Sequence, residues 1–377
     1  MISDIFIFSE RQKNRNAMTS GYIKLFKLSV LLWASATVTA CTTYPSVIAK
    51  YETPEVTSLG DAADDPAIWF NVAAPEQSLI FGTDKKSGVY VYTLQGVEIG
   101  YSALGKINNI DVRSLNGMSY IFASNRTDQT IDLWAFPNAK IAQGAADGMF
   151  SLGSERLVRS ASSINIYGAC AGVDKDLGLI SFITEDEGPR VEVWQFIDSQ
   201  LILLTTFDNG GESEGCVYDD ENRTLFVSEE EVNGVLKAYQ VDKSLDFSKH
   251  TEIDSRVGNI GGDPEGLALY KTSKNEGYVI LSSQGDSKFN MYQRTPPYAY
   301  IGSFVVQGGL TQGGQFIDGT TVTDGIDVLN MPLNADFPNG LMVVQDDEND
   351  SVKKSKVKRQ NFKLISFLDV LNTLELR

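Results

Sequence analysis

Five segments share one cadence: Gly88-Val-Tyr-Val-Tyr92, Thr130-Ile-Asp-Leu-Trp134, Arg190-Val-Glu-Val-Trp194, Gly234-Val-Leu-Lys-Ala-Tyr239 and Lys288-Phe-Asn-Met-Tyr292. Each is a short run carrying an aromatic, and each follows an apolar run and a polar loop. The preceding runs are Ser78–Phe81, Tyr120–Ala123, Leu179–Ile183, Leu225–Ser228 and Gly277–Leu281, and Leu341–Val344 continues the series. Enrichment in β-branched and aromatic residues between Gly, Asn and Asp marks strands and turns. Helical periodicity is almost absent until Phe367–Leu376, which reads as a short closing helix. A chain of this kind folds as an all-β protein of repeated antiparallel sheets. A propeller is the natural reading, with a pair of β-sandwiches as the structural alternative.

The first forty residues stand apart. Lys24 and Lys27 precede an apolar run from Leu28 to Ala36, and Val38-Thr-Ala-Cys41 follows. Basic region, short apolar core and small residues before Cys read as a bacterial lipoprotein signal, with Cys41 as the lipidated residue. A cleaved secretory signal with an incidental Cys is the alternative, and Met18 makes a sensible start for either. The apolar core is too short to span a bilayer. Both readings send the chain to the cell envelope or the exterior, with membrane contact only through the lipid. Residues 1–41 are therefore expected to be a signal region, and 42–377 a single domain.

Of the 32 basic and 49 acidic residues, five basic and two acidic lie within the first forty, which leaves 27 against 47 and a net charge of −20. Such a surface excludes nucleic acid as a partner. Beyond Cys41, Cys170 and Cys216 are either a disulfide, as an exported protein permits, or two buried thiols. His250 is the only histidine. That excludes a phosphohistidine enzyme, a binuclear site built on several His, and a Ser–His–Asp hydrolase; His250 is expected in a solvated loop. No Cys is followed six positions later by Arg, so the cysteine-phosphatase loop is missing too. Carboxylates, Lys, Arg and Tyr remain.

The acids are clustered. Asp61, Asp64 and Asp65 stand just before Pro66, and Glu212, Glu214, Asp219–Glu221 and Glu229–Glu231 follow. Asp263, Glu265, Asp318, Asp324, Asp327 and the run Asp346-Asp-Glu-Asn-Asp350 complete the set. Acid-plus-Gly corners at strand ends suit calcium, which takes six to eight oxygens in flexible geometry. One His and few thiols make zinc a poor choice. Candidate anion binders are Lys85, Lys86, Arg126 and Tyr167. In a radial fold, such strand ends converge around one axis.

In wording and order these segments resemble the β-propeller phytases, calcium-dependent enzymes that hydrolyse phytate. The likeness runs from about Glu52 to about Asn361. It includes Asp61–Trp69, Gly82–Tyr92, Asn108–Arg113, Ala123–Arg126, Tyr167-Gly168, Glu214-Gly215, Asp263–Leu267 and Thr323–Val328. The resemblance implies a six-bladed propeller of four- to five-stranded antiparallel sheets, a monomer acting on calcium–phytate. It implies catalytic calcium ligands Asp64, Glu214, Glu230, Glu265 and Asp324, with Glu52. Asp65 and the backbone near Pro66 and Ile110 would hold a structural ion, and Asp318, Asp346, Glu348 and Asn349 another. Lys85, Arg126 and Tyr167 would contact phosphate, helped by Lys86, while calcium ions activate the attacking water. Lys85, Arg126, Tyr167, Glu214 and Asp324 are thus the candidate catalytic set. The chain departs from the family where Asp186 replaces a common Lys, leaving Arg190 as a possible substitute, and where Val322 replaces a common Asp. The rival functions are a non-catalytic calcium-dependent binding lipoprotein and another calcium-dependent propeller hydrolase, such as a lactonase.

Overall fold

A computed structural model describes residues 44–231, 233–349 and 359–376. The expected signal region and Cys41 lie outside the described residues. The described residues form one compact unit. Among the described residues no helix is long and apolar enough to cross a membrane.

Six sheets are arranged as the blades of a propeller, five of four strands and one of five. Blade 1 begins with the inner strand Ala63–Trp69, blade 2 with Ile107–Leu115, blade 3 with Ile166–Asp174, blade 4 with Ser213–Asp219 and blade 5 with Pro264–Ser273. In blade 6 the inner strand is Ile326–Leu329. Successive strands within a blade pair antiparallel. The segments with the aromatic cadence are the third strands of blades 1 to 5. Their two faces serve two neighbours, because side chains alternate along a strand. In blade 1, Val89 and Val91 enter the cluster shared with blade 2, whereas Tyr90 and Tyr92 enter the one shared with blade 6. Six apolar clusters result, one at each contact between neighbouring blades. Truncating a buried ring such as Trp134 to Ala should cost about 3–5 kcal/mol.

The ring is closed by the beginning of the described chain. Tyr51–Glu52 is the outer strand of blade 6 and pairs antiparallel with Asn361–Ser366. Ser46–Val47 adds a parallel fifth strand to blade 5, beside Tyr300–Val306. Inner strands are also tied to one another by carboxylates. Asp65 accepts the Ile110 amide at 3.0 Å, Asp111 that of Ala171 at 2.7 Å, and Asp327 that of Ile68 at 2.7 Å. A disulfide joins Cys170 on blade 3 to Cys216 on blade 4, with Cα atoms 5.7 Å apart, which decides between the two states left open above. The closing helix is Phe367–Thr373. A second helix, Asn138–Asp147, interrupts blade 2 between its third and fourth strands. Its Ala-rich stretch buries only Ile141 and Gly144 and stops at Gly148, whose φ of 65° suits a glycine C-cap.

Candidate active site

The fold repeats two positions in every blade, and together they build the channel mouth. The first lies at the start of the inner strand. The register of inner against second strand breaks between Ala63 and Pro66, Ile107 and Ile110, Ile166 and Ala169, Ser213 and Cys216, and Pro264 and Leu267. Such breaks re-aim side chains. The residues inside them are Asp64-Asp65, Asn108-Asn109, Tyr167-Gly168, Glu214-Gly215 and Glu265-Gly266, and Asp324-Gly325 stands just before the inner strand of blade 6. The glycines allow neighbouring backbones to close in. A Cβ at Gly168 would lie 1.9 Å from the Glu214 carbonyl oxygen, and one at Gly215 would lie 2.1 Å from that of Glu265.

The second position directly follows the second strand. Lys85, Arg126, Asp186, Glu230, Gln284 and Asp347 each donate their amide to a carbonyl just before the inner strand of the same blade. The acceptors are Ala62, Lys106, Asn165, Glu212, Asp263 and Thr321, at 2.7–3.1 Å. In five blades the acceptor is two residues before the inner-ring side chain; in blade 6 it is three. The added residue brings Val322 into the loop with φ 45°, a conformation a β-branched residue rarely adopts.

One arc of this mouth is basic. Lys85 Nζ lies 2.8 Å from Asp61, 3.0 Å from Asp324 and 3.4 Å from Asp64. Burial works against its charge, but Asp64, Asp324 and Glu214 outweigh that and hold the amine protonated. The Arg126 guanidinium lies 5.1 Å from the centre of the Tyr167 ring and donates to Asn108 Oδ1 at 3.1 Å. Asn108 donates in turn to Glu214 Oε1 at 2.6 Å. Burial and the charges of Glu214, Glu230 and Glu265 push the Tyr167 hydroxyl up, so it stays a donor.

The facing arc is acidic. Carboxylate oxygens of Glu214, Glu230 and Glu265 lie within 4.8 Å of one another. Glu230 Oε1, Glu265 Oε2 and Asp64 Oδ2 are buried without a hydrogen-bond partner. Burial, then mutual repulsion, raises Glu230 to about 9 and pushes Asp64 and Glu265 well up. Glu214 is raised by burial despite the opposing pull of Lys85. An all-oxygen set fits a hard cation. Two ligands at calcium's bond length are at most about 5 Å apart, which the trio satisfies. Between the arcs lies a cavity of about 290 Å³ bounded by Lys85, Tyr167, Glu214, Glu265 and Asp324.

The family described as phytase matches residues 16–376. The chain belongs to the phytase family. It is 32% identical over 341 residues to the 3-phytase of Bacillus subtilis (strain 168), covering 87% of this chain and 85% of that one. One chain in the crystal structure of the mitotic checkpoint complex aligns with a TM-score of 0.45 at 9% identity, over 87% of this chain and 82% of that one, a likeness too distant to bear on function.

Within this phytase fold, Asp64, Lys85, Tyr167, Glu214, Glu230, Glu265 and Asp324 come together at the mouth, with Arg126 on its rim. The other candidates lie elsewhere. Glu52 is 2.5 Å from Lys363, which also pairs with Asp318 and, at 3.4 Å, with Asp346. Glu348 is exposed and Asn349 half-buried; the Glu348 amide donates to Thr321 Oγ1 at 3.1 Å. Asp65 lines a separate small cavity with Pro66, Ile110 and Asp327; burial pushes its carboxyl well up, and it accepts the Ile110 amide. Lys86 turns away and donates to the Leu59 carbonyl at 2.7 Å. Arg190 is paired with Glu185. Arg126 instead meets Asp186, at 2.9 Å. His250 is exposed in a loop. Asn108 and Gln284, which donates to Asp324 Oδ1 at 2.5 Å, were not among the sequence candidates. Their equivalent place in each blade is the signal that finds them.

Proposed function

We propose that the chain hydrolyses phosphate monoesters of phytate with calcium held on the acidic arc. Membership of the phytase family and the 3-phytase relative support the substrate. The observation that carries the reading is the confrontation of the two arcs: a protonated Lys85 within 3.4 Å of Asp64 and Asp324, beside three converging glutamates.

Lys85, Tyr167 and Arg126 hold the ester phosphate by donating to its oxygens, where charge spreads as the bond to the leaving oxygen breaks. Asn108 fixes Arg126 relative to Glu214. Gln284 and the Gln345 side chain, which accepts the Asp324 amide at 2.9 Å, hold Asp324 in place. Asp64, Glu214, Glu230, Glu265 and Asp324 would hold calcium, which supplies charge neutralisation and a lowered pKa for water. No covalent nucleophile is called for.

The leader ending at Cys41 and the Cys170–Cys216 disulfide support a place outside the cytoplasm, with lipid as the membrane contact and 42–377 acting as a single monomeric domain. The Arg126–Asp186 pair favours the rival reading, a non-catalytic binding propeller, because it engages a phosphate-facing cation. Phosphate release from phytate separates the two. The purified chain should release phosphate in calcium, stop after chelation and resume when calcium is returned; release that survives thorough chelation would defeat the proposal.

A further inference from the structure

Around the mouth, the position after each second strand reads Lys85, Arg126, Asp186, Glu230, Gln284 and Asp347. The sign of charge changes between blades 2 and 3, so Arg126, the last cation of the basic arc, has an acid as its neighbour. Asp186 Oδ1 accepts from Arg126 Nη2 at 2.9 Å, and its other oxygen accepts from Asn165 Nδ2 at 2.9 Å. Its own amide donates to the Asn165 carbonyl at 2.8 Å. Arg126 is equally fixed, by Asn108 Oδ1 at 3.1 Å and by the Tyr167 ring. The side chains are only 29% and 22% exposed, unlike the solvated ion pairs whose net effect is near zero.

A guanidinium grips phosphate best with two parallel N–H groups. Here Nη2 already donates to a carboxylate and Nη1 to an amide. A phosphate reaching Arg126 must displace Asp186 or sit beside its negative charge. We infer that Asp186 sets the affinity of the site for phosphate, competing with it for Arg126 and loosening the hold on ester and released product alike. The inference rests on the phosphate-binding reading of the mouth. Binding that is equal for bound states does not speed the chemical step, so weakening it raises KM and frees product together.

Calorimetric titration of inorganic phosphate into the calcium-loaded protein tests this, with wild type, D186N, R126Q and the double variant compared and KM and kcat for phytate measured alongside. D186N should bind phosphate roughly tenfold more tightly, the scale of one charge-assisted hydrogen bond on Arg126 freed for the ligand. KM for phytate should fall by a similar factor without a rise in kcat. In the R126Q background D186N should have no effect. D186A, which also removes the Asn165 contact, should tighten phosphate in the same direction while thermal melting reports its fold. Unchanged phosphate affinity in a folded D186N or D186A protein overturns the inference, as does a tightening that survives the loss of Arg126. If wild type releases no phosphate from phytate, the proposed activity fails, and the phosphate titration still decides the role of Asp186.

Discussion

Glu230 and Glu265 each hold a buried carboxylate oxygen with no partner, which is costly in a folded chain and useful once a cation arrives. Stability and function should therefore oppose each other at these residues. In calcium-free buffer Glu230→Gln should raise stability, by about 1 kcal/mol in denaturant unfolding, because it replaces a buried carboxyl that folding must keep protonated with a side chain that is already neutral. With calcium added, the same variant should gain less stability than wild type. Equal calcium-induced gains in both proteins would remove Glu230 from the ion site. Glu214→Gln and Asp324→Asn remove groups next to Lys85 and should lower kcat by about 100-fold or more, read as phosphate release with folding checked by circular dichroism. Side chains such as Asp64, Lys85 and Glu214 were legible because the acids cluster along the chain and because the ordered likeness to a known family gave each a role; singly, an acid before a turn or a Lys at a strand end is ordinary. Asn108 was not, since an Asn pair also reads as an ordinary turn and only its place in the blade gives it a role.

Contacts between blades were less visible than the strands themselves. Third strands stand out because each carries an aromatic on a largely buried ladder. The helix Asn138–Asp147 escaped because it buries so little that no apolar stripe marks it. Pairings between blades are long-range and leave no local pattern. Arg294, wholly buried just after the third strand of blade 5, donates to Asp219 of blade 4 at 2.5 and 2.6 Å and to Glu221 at 2.8 Å. Burial alone would raise the Asp219 carboxyl, but Arg294 and Asn222 outweigh it and hold it below its ordinary value. Its unfolded pKa is about 3.9. The folded state thus binds this proton more weakly, and the pair's stabilisation is full above that value and is lost as pH falls through the lower folded one. Asp219→Asn should cost about 3 kcal/mol at pH 7 by removing the buried partner of Arg294 and leaving only the exposed Glu221. The difference from wild type should shrink on acidification below pH 4; a gap that stays constant to pH 2 would contradict this assignment. The Cys170–Cys216 bridge spans 46 residues and ties the strand of Tyr167 to that of Glu214. Replacing both cysteines with Ser should cost about 4 kcal/mol in the chain-entropy account, measured by urea unfolding, with no change in urea midpoint as the contrary result.

At the scale of the molecule, a ring of six sheets takes positions spread along more than 250 residues of chain and sets them around one axis. The sequence cadence marks five blades. The sixth rests on Asn361–Ser366, whose aromatic, Phe362, stands second instead of closing the run as in the other five, and on Tyr51–Glu52 from the far end of the chain. Only the likeness to a known family gave the count of six, because closure joins segments that share no local pattern. Lys363 fastens that closure by pairing with Glu52, Asp318 and Asp346. The same ring sets the cations of blades 1 and 2 against the acids of blades 4 to 6, with Asp64 of blade 1 completing the acidic set, and the proposed chemistry depends on that arrangement. The most direct test is an anomalous-difference map from crystals grown with calcium and inorganic phosphate. Ions contacting Glu214, Glu230 and Glu265, with phosphate on Lys85 and Tyr167, is the result expected. A map with no ion at the three glutamates, or with phosphate bound away from Lys85, would contradict the account.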